Sequence, residues 1–255
     1  MLQKRIIPCL TIDNDKLIHV KKFNLNSQRY IGDPINALRI YNEYEVDELI
    51  ILDITCSKNI RNINFNYLEK IAAEAFFPLS YGGGINNAKD AEKIINIGFE
   101  KIVLNSILHR NIDIVNECKK SIGAQSITIS LDIKSINSKF FLFDHIGQNI
   151  LDIDIEKFIK NLVEIGIGEI ILTYVDNDGT MEGINEEVIS YFSKLINVPL
   201  IYKGGAKDKS EISKVLNTKA QAFCSSTIFI MKKINGGIVL NYPSGNLKED
   251  LCRSV

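Results

Sequence analysis

The chain repeats itself at one offset, 121 residues, and this repeat limits the folds open to it. "PLSYGGG" from Pro78 falls on "PLIYKGG" from Pro199, and "ELIILD" from Glu48 falls on "EIILTY" from Glu169. "CLTI" from Cys9 falls on "SLDI" from Ser130, and Asn105-Ser106 falls on Ser226-Thr227. A single shared glycine pair would carry little weight. One gap-free offset through four strand-like runs points to two similar units joined end to end. The halves divide into about 1–122 and 123–255 of a single domain.

Short β-branched runs alternate with longer segments of helical period. Strands are expected over 5–12, 48–54, 77–81, 101–104, 126–133, 169–175, 200–203 and 220–225. In "DPINALRIYNEYEVD", Ile35, Leu38, Tyr41 and Val46 share a helix face and Pro34 sits in the first turn. Further helices are expected to begin near Asn64, Asn87, Asn111, Asp154, Asn185 and Asp208. Eight strand–helix units suit a (β/α)8 TIM barrel, although alternation alone would also suit a doubly wound open sheet. Two four-strand halves close naturally into the barrel.

The net charge of −1 provides no basic field for nucleic acid or a membrane surface. Five cysteines are scattered without a CxxC pair, which points to reduced thiols in a cytoplasmic protein rather than to disulfides or zinc. An apolar run begins within five residues of the N-terminus and no long apolar span follows. Neither a signal peptide nor a membrane segment is expected. "GGGI" lacks the G-x-G-x-x-G order, and no cofactor or metal is expected.

In such a barrel the site lies on the loops after the C-terminal strand ends. Gly82, Gly83 and Gly84 follow the third strand, and Gly204 and Gly205 follow the seventh. Glycines there let backbone amides approach an anion, and they equally serve tight turns. Asn105-Ser106 and Ser226-Thr227 end the fourth and eighth strands, where hydroxyls and helix-start amides suit phosphate oxygens. Two symmetric sites imply a long substrate with an anion at each end. Asp132 ends the fifth strand, where a carboxylate serves as general acid or base, caps the next loop, or pairs with Lys134. Thr11 is its equivalent in the first half, and a hydroxyl cannot act as a general base near neutral pH. Asp13 shares the strand parity of Thr11, roughly 6.6 Å further along. It is either a substitute acid–base group or the start of the turn "DNDK".

The pieces "IPCL", "GDPINA", "DELIILDIT", "YGGGI", "ILT" followed by "DNDGT", and "GGA" run in order over nearly the whole chain. Together they resemble the cyclase subunit of imidazole glycerol phosphate synthase. The resemblance implies a (β/α)8 barrel that uses ammonia from a separate glutaminase subunit. It closes an imidazole ring on a two-phosphate substrate and releases an aminoimidazole ribonucleotide. The resemblance also implies acid–base roles at Asp132 and at the position of Thr11, and phosphate or sugar contacts from Asp178, Gly179 and Thr180. Arg5, Glu48, Lys101 and Glu169 match a ring that gates the ammonia path at the base of the barrel, where the glutaminase docks. From the sequence alone these four are ordinary solvent-facing charges at strand starts. As a ring they would be partly buried and paired.

Four departures bear on function. Thr11 stands where a carboxylate is expected. Asp15 and His19 replace a Gly and a Lys of the family's closing flap, with Lys21 and Lys22 near enough to supply positive charge. The tail "KINGGIVLNYPSGNLKEDL" has Gly236-Gly237, an extended "IVLNYP" and a short helix from Asn246 in place of a plain terminal helix. "RYIGDPINA" and "GGIVLNYPS" resemble a branch that works with a glutaminase and a third, amidotransferase-like protein. That branch is associated with converting an acetamido group on a bacterial surface sugar into an acetamidino group. Three readings stand at this stage: an ammonia-handling barrel for surface-sugar amidination, a genuine histidine-pathway cyclase, and a catalytically weak scaffold that activates the glutaminase.

Overall fold

Each inward-facing run of the sequence pairs with the next, and the last pairs with the first. The strands are β1 (Arg5–Asp13), β2 (Leu49–Asp53), β3 (Leu79–Gly82), β4 (Lys101–Leu104), β5 (Ile127–Ile136), β6 (Glu169–Tyr174), β7 (Leu200–Lys203) and β8 (Ala222–Ser225). All eight neighbouring pairs are parallel, and β8 closes on β1. The computed structural model, which describes residues 3–58, 61–232, 236–243 and 245–253, is therefore a (β/α)8 barrel and not an open sheet.

The offset of 121 recurs in the register of the sheet. Cys9 stands opposite Ile50, and Ser130 opposite Ile171. Leu49 stands opposite Leu79, and Ile170 opposite Leu200. The two seams between the halves obey the same shift: Ile6 faces Phe223, and Ile127 faces Ile102.

Helices α1 (Pro34–Glu43), α2 (Phe65–Glu74), α3 (Ala88–Ile97), α4 (Ile114–Ile122), α5 (Ile155–Ile165), α6 (Glu186–Leu195) and α7 (Ile212–Leu216) surround the barrel, and α8 (Asn246–Arg253) ends it. Asp33, Asn64, Asn87, Asp154 and Asn185 each accept a hydrogen bond from the amide three residues on, at 2.9–3.2 Å. Each such cap is worth about 1 kcal/mol. The helix expected near Asn111 starts later, at Ile114. A 3-10 turn occupies Ser106–His109, and the Asn111 side chain accepts from the Asp113 amide at 3.1 Å. In the tail, Tyr242 is buried and donates to the Ile6 carbonyl at 2.8 Å; residues 233–235 and 244 lie outside the described residues.

Strand alternation sorts the inward side chains into three layers. The lowest holds Arg5, Glu48, Lys101 and Glu169 at or next to strand starts. The middle is apolar, a cluster of Ile7, Cys9, Ile50, Val103, Ile171, Ile201, Ala222 and Cys224 distinct from the larger core under the helices. The top opens at the C-terminal mouth. Among the described residues no helix is long and apolar enough to cross a membrane.

The loops after β1 and β5 are themselves ordered into strands. Both are β-hairpins: Lys16–Lys21 with Asn24–Gly32, and Lys139–Asp144 with Asn149–Ile150. Their turns at Asn14-Asp15 (φ 49° and 60°), Lys22-Phe23 (50° and 58°) and Asn137-Ser138 (48° and 61°) put both central residues in the left-handed region. That is the geometry of a two-residue hairpin, normally announced by Asn-Gly or Asp-Gly, neither of which occurs at these turns.

Candidate active site

About 1210 Å³ of empty space, continuous with solvent, lies at the mouth. Its floor takes one residue from each barrel strand or strand end: Thr11, Leu52, Gly82, Asn105, Asp132, Thr173, Lys203 and Ser226. The hairpin after β1 supplies His19, Val20, Phe23 and Leu25, and the hairpin after β5 supplies His145.

Asp132 is only 4% exposed, so its carboxylate needs donors. Asn105 Nδ2 donates to Oδ2 at 2.7 Å, and His145 Nδ1 lies 3.2 Å from the same oxygen. Lys134 is not the partner that its place in the sequence suggested. Its ammonium sits 4.1 Å from the centre of the Phe143 ring, on the hairpin that follows β5.

Across the mouth, Lys203 is buried with its Nζ 3.2 Å from Asp178 Oδ1. Burial by itself would lower the lysine pKa; Asp178 outweighs this and holds it above the ordinary value, so the ammonium stays charged. His19 Nε2 lies 3.2 Å from Thr227 Oγ1. Burial lowers the His19 pKa below the ordinary value, against the pull of Asp178, which keeps the ring neutral at pH 7. The cation on this side therefore comes from the barrel wall rather than from the hairpin.

The glycine sites are built unevenly. Gly82, Gly83 and Gly84 line the cavity together with Asn105, Ser106, Ser226 and Thr227. Gly83 (φ 138°) and Gly84 (φ 69°) lie against the segment after β2, where a Cβ would strike the Asp53 carbonyl or Cys56. Gly204 and Gly205 do not line the cavity. The Gly204 amide donates to the Cys224 carbonyl at 2.9 Å, and the Gly205 carbonyl accepts from Gly183 at 2.8 Å. Gly179 and Thr180 are also set back, because the hairpin lies across them. A Cβ on Gly179 would strike the Val20 carbonyl, and the Lys22 amide donates to the Asp178 carbonyl at 2.8 Å. Lys21 is exposed on the hairpin, with its amide donating to Ser27 Oγ at 2.9 Å, and does not reach the cavity wall.

Asp13 does not join Thr11 at the mouth as shared parity suggested. The last parallel pairing of β1 is Ile12 with Asp53, and beyond it the chain turns into the hairpin, with Asp13 opposite Lys16. The Asp13 carboxylate accepts from Thr55 Oγ1 at 2.7 Å and from Gln28 Nε2 at 2.9 Å. Arg61 ties the same hairpin down, donating to Asp15 and, at 3.2 Å, to Asp53. At the far end of the hairpin the Phe23 ring lies 5.6 Å from Lys203 Nζ and 6.2 Å from the His145 ring, edge to face.

Sequence reasoning left His145, Lys203 and Thr173 without roles. For Lys203 and Thr173 a signal was present, because they break the repeat: they stand where the first half has Gly82 and Leu52. The hydroxyls of Thr173 and Ser226 are buried with no hydrogen-bond partner among the described residues. Such groups in a cavity wall suit a polar ligand.

At the opposite end, the four strand-start charges form a closed ring of alternating sign. Arg5 bonds Glu48 at 2.5 Å and Glu169 at 2.7 Å. Lys101 Nζ lies 3.0 Å from both Glu48 oxygens and 2.8 Å from Glu169. Ser80 and Thr128 add bonds of 2.9 and 3.3 Å to the two glutamates. The glutamate side chains are 3% and 6% exposed, so these are not solvent-facing charges. Burial alone would raise the Glu169 pKa; Arg5 and Lys101 outweigh it and bring the carboxyl below its ordinary value.

A barrel with an apolar waist and polar side chains gathered on its βα loops defines a (β/α)8 protein with a reaction-type mouth. The chain belongs to the histidine biosynthesis protein family, whose sequence pattern matches residues 5–235. It is 36% identical to a Leptospira interrogans protein provisionally named imidazole glycerol phosphate synthase subunit HisF, over 98% of this chain and 99% of the relative. It is also 36% identical to provisionally named HisF-type subunits of Vibrio vulnificus (hisF3; 98% of this chain, 96% of the relative) and Campylobacter jejuni (hisF2; 99% and 97%).

Proposed function

We propose that this barrel is the ammonia-using, cyclase-like subunit of a glutamine amidotransferase complex. The observation that carries this reading is the closed ring of Arg5, Glu48, Lys101 and Glu169 around the base, coaxial with an apolar waist and a polar mouth. A glutaminase docks on the base, the ring gates passage of ammonia, and reaction takes place at the mouth. Asp132 is the acid–base carboxylate. Gly82, Gly83, Gly84, Asn105, Ser106, Ser226 and Thr227 receive the anionic part of the substrate, with Asp178 and Lys203 on the opposite side. The neighbouring Gly179 and Thr180 come into reach when the hairpin after β1 lifts.

Two differences at the mouth favour a reaction other than histidine-pathway ring closure. Thr11 offers no carboxylate, and the hairpin His19 is neutral. The reading they support is ammonia transfer in acetamidino-sugar biosynthesis, together with a third, amidotransferase-like protein. The names of the relatives favour a second reading, a true imidazole glycerol phosphate synthase cyclase subunit.

The test supplies ammonium chloride with the histidine-pathway bisphosphate and, separately, with a nucleotide-linked acetamido sugar and the third protein. Turnover of the bisphosphate at ordinary cyclase rates refutes the sugar reading. Unchanged product formation by Asp132→Asn refutes reaction at the mouth. If no glutaminase co-purifies and Glu48→Ala leaves glutamine-dependent activity unchanged, the gate does not exist.

A further inference from the structure

Of the two carboxylates at the mouth, Asp178 is paired with Lys203 at 3.2 Å, which leaves Asp132, and Thr11 cannot supply a second group for proton transfer. We infer that His145 is that second acid–base group, acting through Nε2, with Asp132 as the carboxylate that orients it. The inference rests on the reading of the mouth as the place where ammonia reacts.

The geometry leaves one consistent assignment of the ring proton. Asp132 Oδ2 accepts from Asn105 at 2.7 Å and faces His145 Nδ1 at 3.2 Å. A carboxylate oxygen facing Nδ1 is met by a hydrogen there, so the neutral ring is the Nδ1–H tautomer, with its lone pair on Nε2. The His145 side chain is 19% exposed and lines the cavity beside Asp132, so its second nitrogen has access to a ligand. The ring is also held in place. Phe23 meets it at 89°, and Gln148 Nε2 donates to the His145 carbonyl at 2.7 Å, which fixes the turn.

Lys203, paired with Asp178 at 3.2 Å, and Arg110 and Lys58 line the same cavity as His145. Asp144, on the same hairpin, is engaged by the Ile146 amide at 2.9 Å. His109, from the turn after β4, has its pKa lowered by burial and does not line the cavity. Lys134 lies over Phe143. His19, the other histidine of the mouth, points its Nε2 at Thr227 instead.

With ammonia and a carbonyl carbon the step balances as follows. The nitrogen lone pair bonds to carbon as the C=O π pair moves onto oxygen. Two N–H protons then pass, one after the other, through Nε2 to that oxygen. It leaves as water, and an imine remains. Each imidazolium formed on the way is stabilised by Asp132.

The full chain contains only three histidines, so nitrogen-15 labelling of histidine gives a short spectrum, assignable with His→Gln variants. The neutral His145 ring should be the Nδ1–H tautomer in the wild type and revert towards Nε2–H in Asp132→Ala. Turnover is read with ammonium chloride on both substrates named above. His145→Ala should fall about 100-fold or more, and added imidazole should restore its rate saturably while leaving the wild type unchanged. A purely structural role would not give imidazole rescue. An Nε2–H tautomer in the wild type, or full activity of His145→Ala, overturns the inference. A wild type inactive on both substrates refutes the proposed reaction instead, and the spectra still decide the orientation of His145.

Discussion

Replacing Lys101 by Met removes one cation from the base ring while keeping the length of its stem. Its Nζ contacts three carboxylate oxygens at 2.8–3.0 Å. At an effective dielectric constant of 20, each ion pair at this distance is worth about 6 kcal/mol before desolvation. Lys101 no longer has to be desolvated in the variant, but Glu48 and Glu169 remain buried with Arg5 as their shared cation. Removing one partner of a buried ion pair costs about 3–5 kcal/mol. Ser80 and Thr128 still bond the glutamates, which places Lys101→Met at the lower end, about 3 kcal/mol. For a domain of this size that corresponds to a fall in Tm of about 6–12 °C. Urea unfolding followed by far-UV circular dichroism and by tyrosine fluorescence measures it, the chain having nine tyrosines and no tryptophan. Adding Glu48→Gln removes the excess negative charge, so the double variant should recover about 1–3 kcal/mol relative to the sum of the singles. A loss below about 1 kcal/mol, or no recovery in the double variant, would mean that the ring is screened like surface charge and the reasoning is wrong.

Gly83→Ala should lose about 1–3 kcal/mol, because φ is 138° and the new methyl meets the Asp53 carbonyl. Gly32→Ala, with nothing within 4 Å of its Cβ, is the control, and equal losses in the two variants would refute the argument. Acid sensitivity has a definite sign. The His19 and His109 pKa values are lowered by burial, so the unfolded chain takes up their protons first. Their contribution is complete above about pH 6.5 and is lost as the pH falls towards the folded-state values. His19→Gln should flatten the stability profile in that window, and an unchanged slope would count against a neutral buried His19.

The barrel was legible because its information is local and repeated. β-branched runs end in Gly or hydroxyl residues, and Asn or Asp precedes most helices, where the structure finds it capping the first turn. The ring of charges needed the family resemblance, because "RII", "ELI", "KIV" and "EII" look like any strand starts until closure brings them together. The hairpins were not legible. Lys22-Phe23 carries no hairpin signal, yet its strained turn holds an aromatic ring over the mouth. For Asp13 strand parity stops applying where the strand leaves the barrel, and of its two readings the structure has the start of the turn, with Asp13 opposite Lys16. His145 is thirteen residues from Asp132, on a separate turn, and only the return of the second hairpin joins them.

The apolar waist has a consequence for proton balance. A wall of Ile7, Cys9, Ile50, Val103, Ile171, Ile201, Ala222 and Cys224 offers an ammonium ion no counter-charge. Stripping such an ion of water costs several kcal/mol, whereas a neutral molecule of the same size avoids most of that cost. Nitrogen that travels this way is sorted by protonation state. On the proposed path an ammonium ion would shed a proton below the ring and reach the mouth as a free base. The two ends of the barrel then run at different proton counts, and delivery should follow the acidity at the base even when the pH optimum of the chemistry at the mouth lies elsewhere.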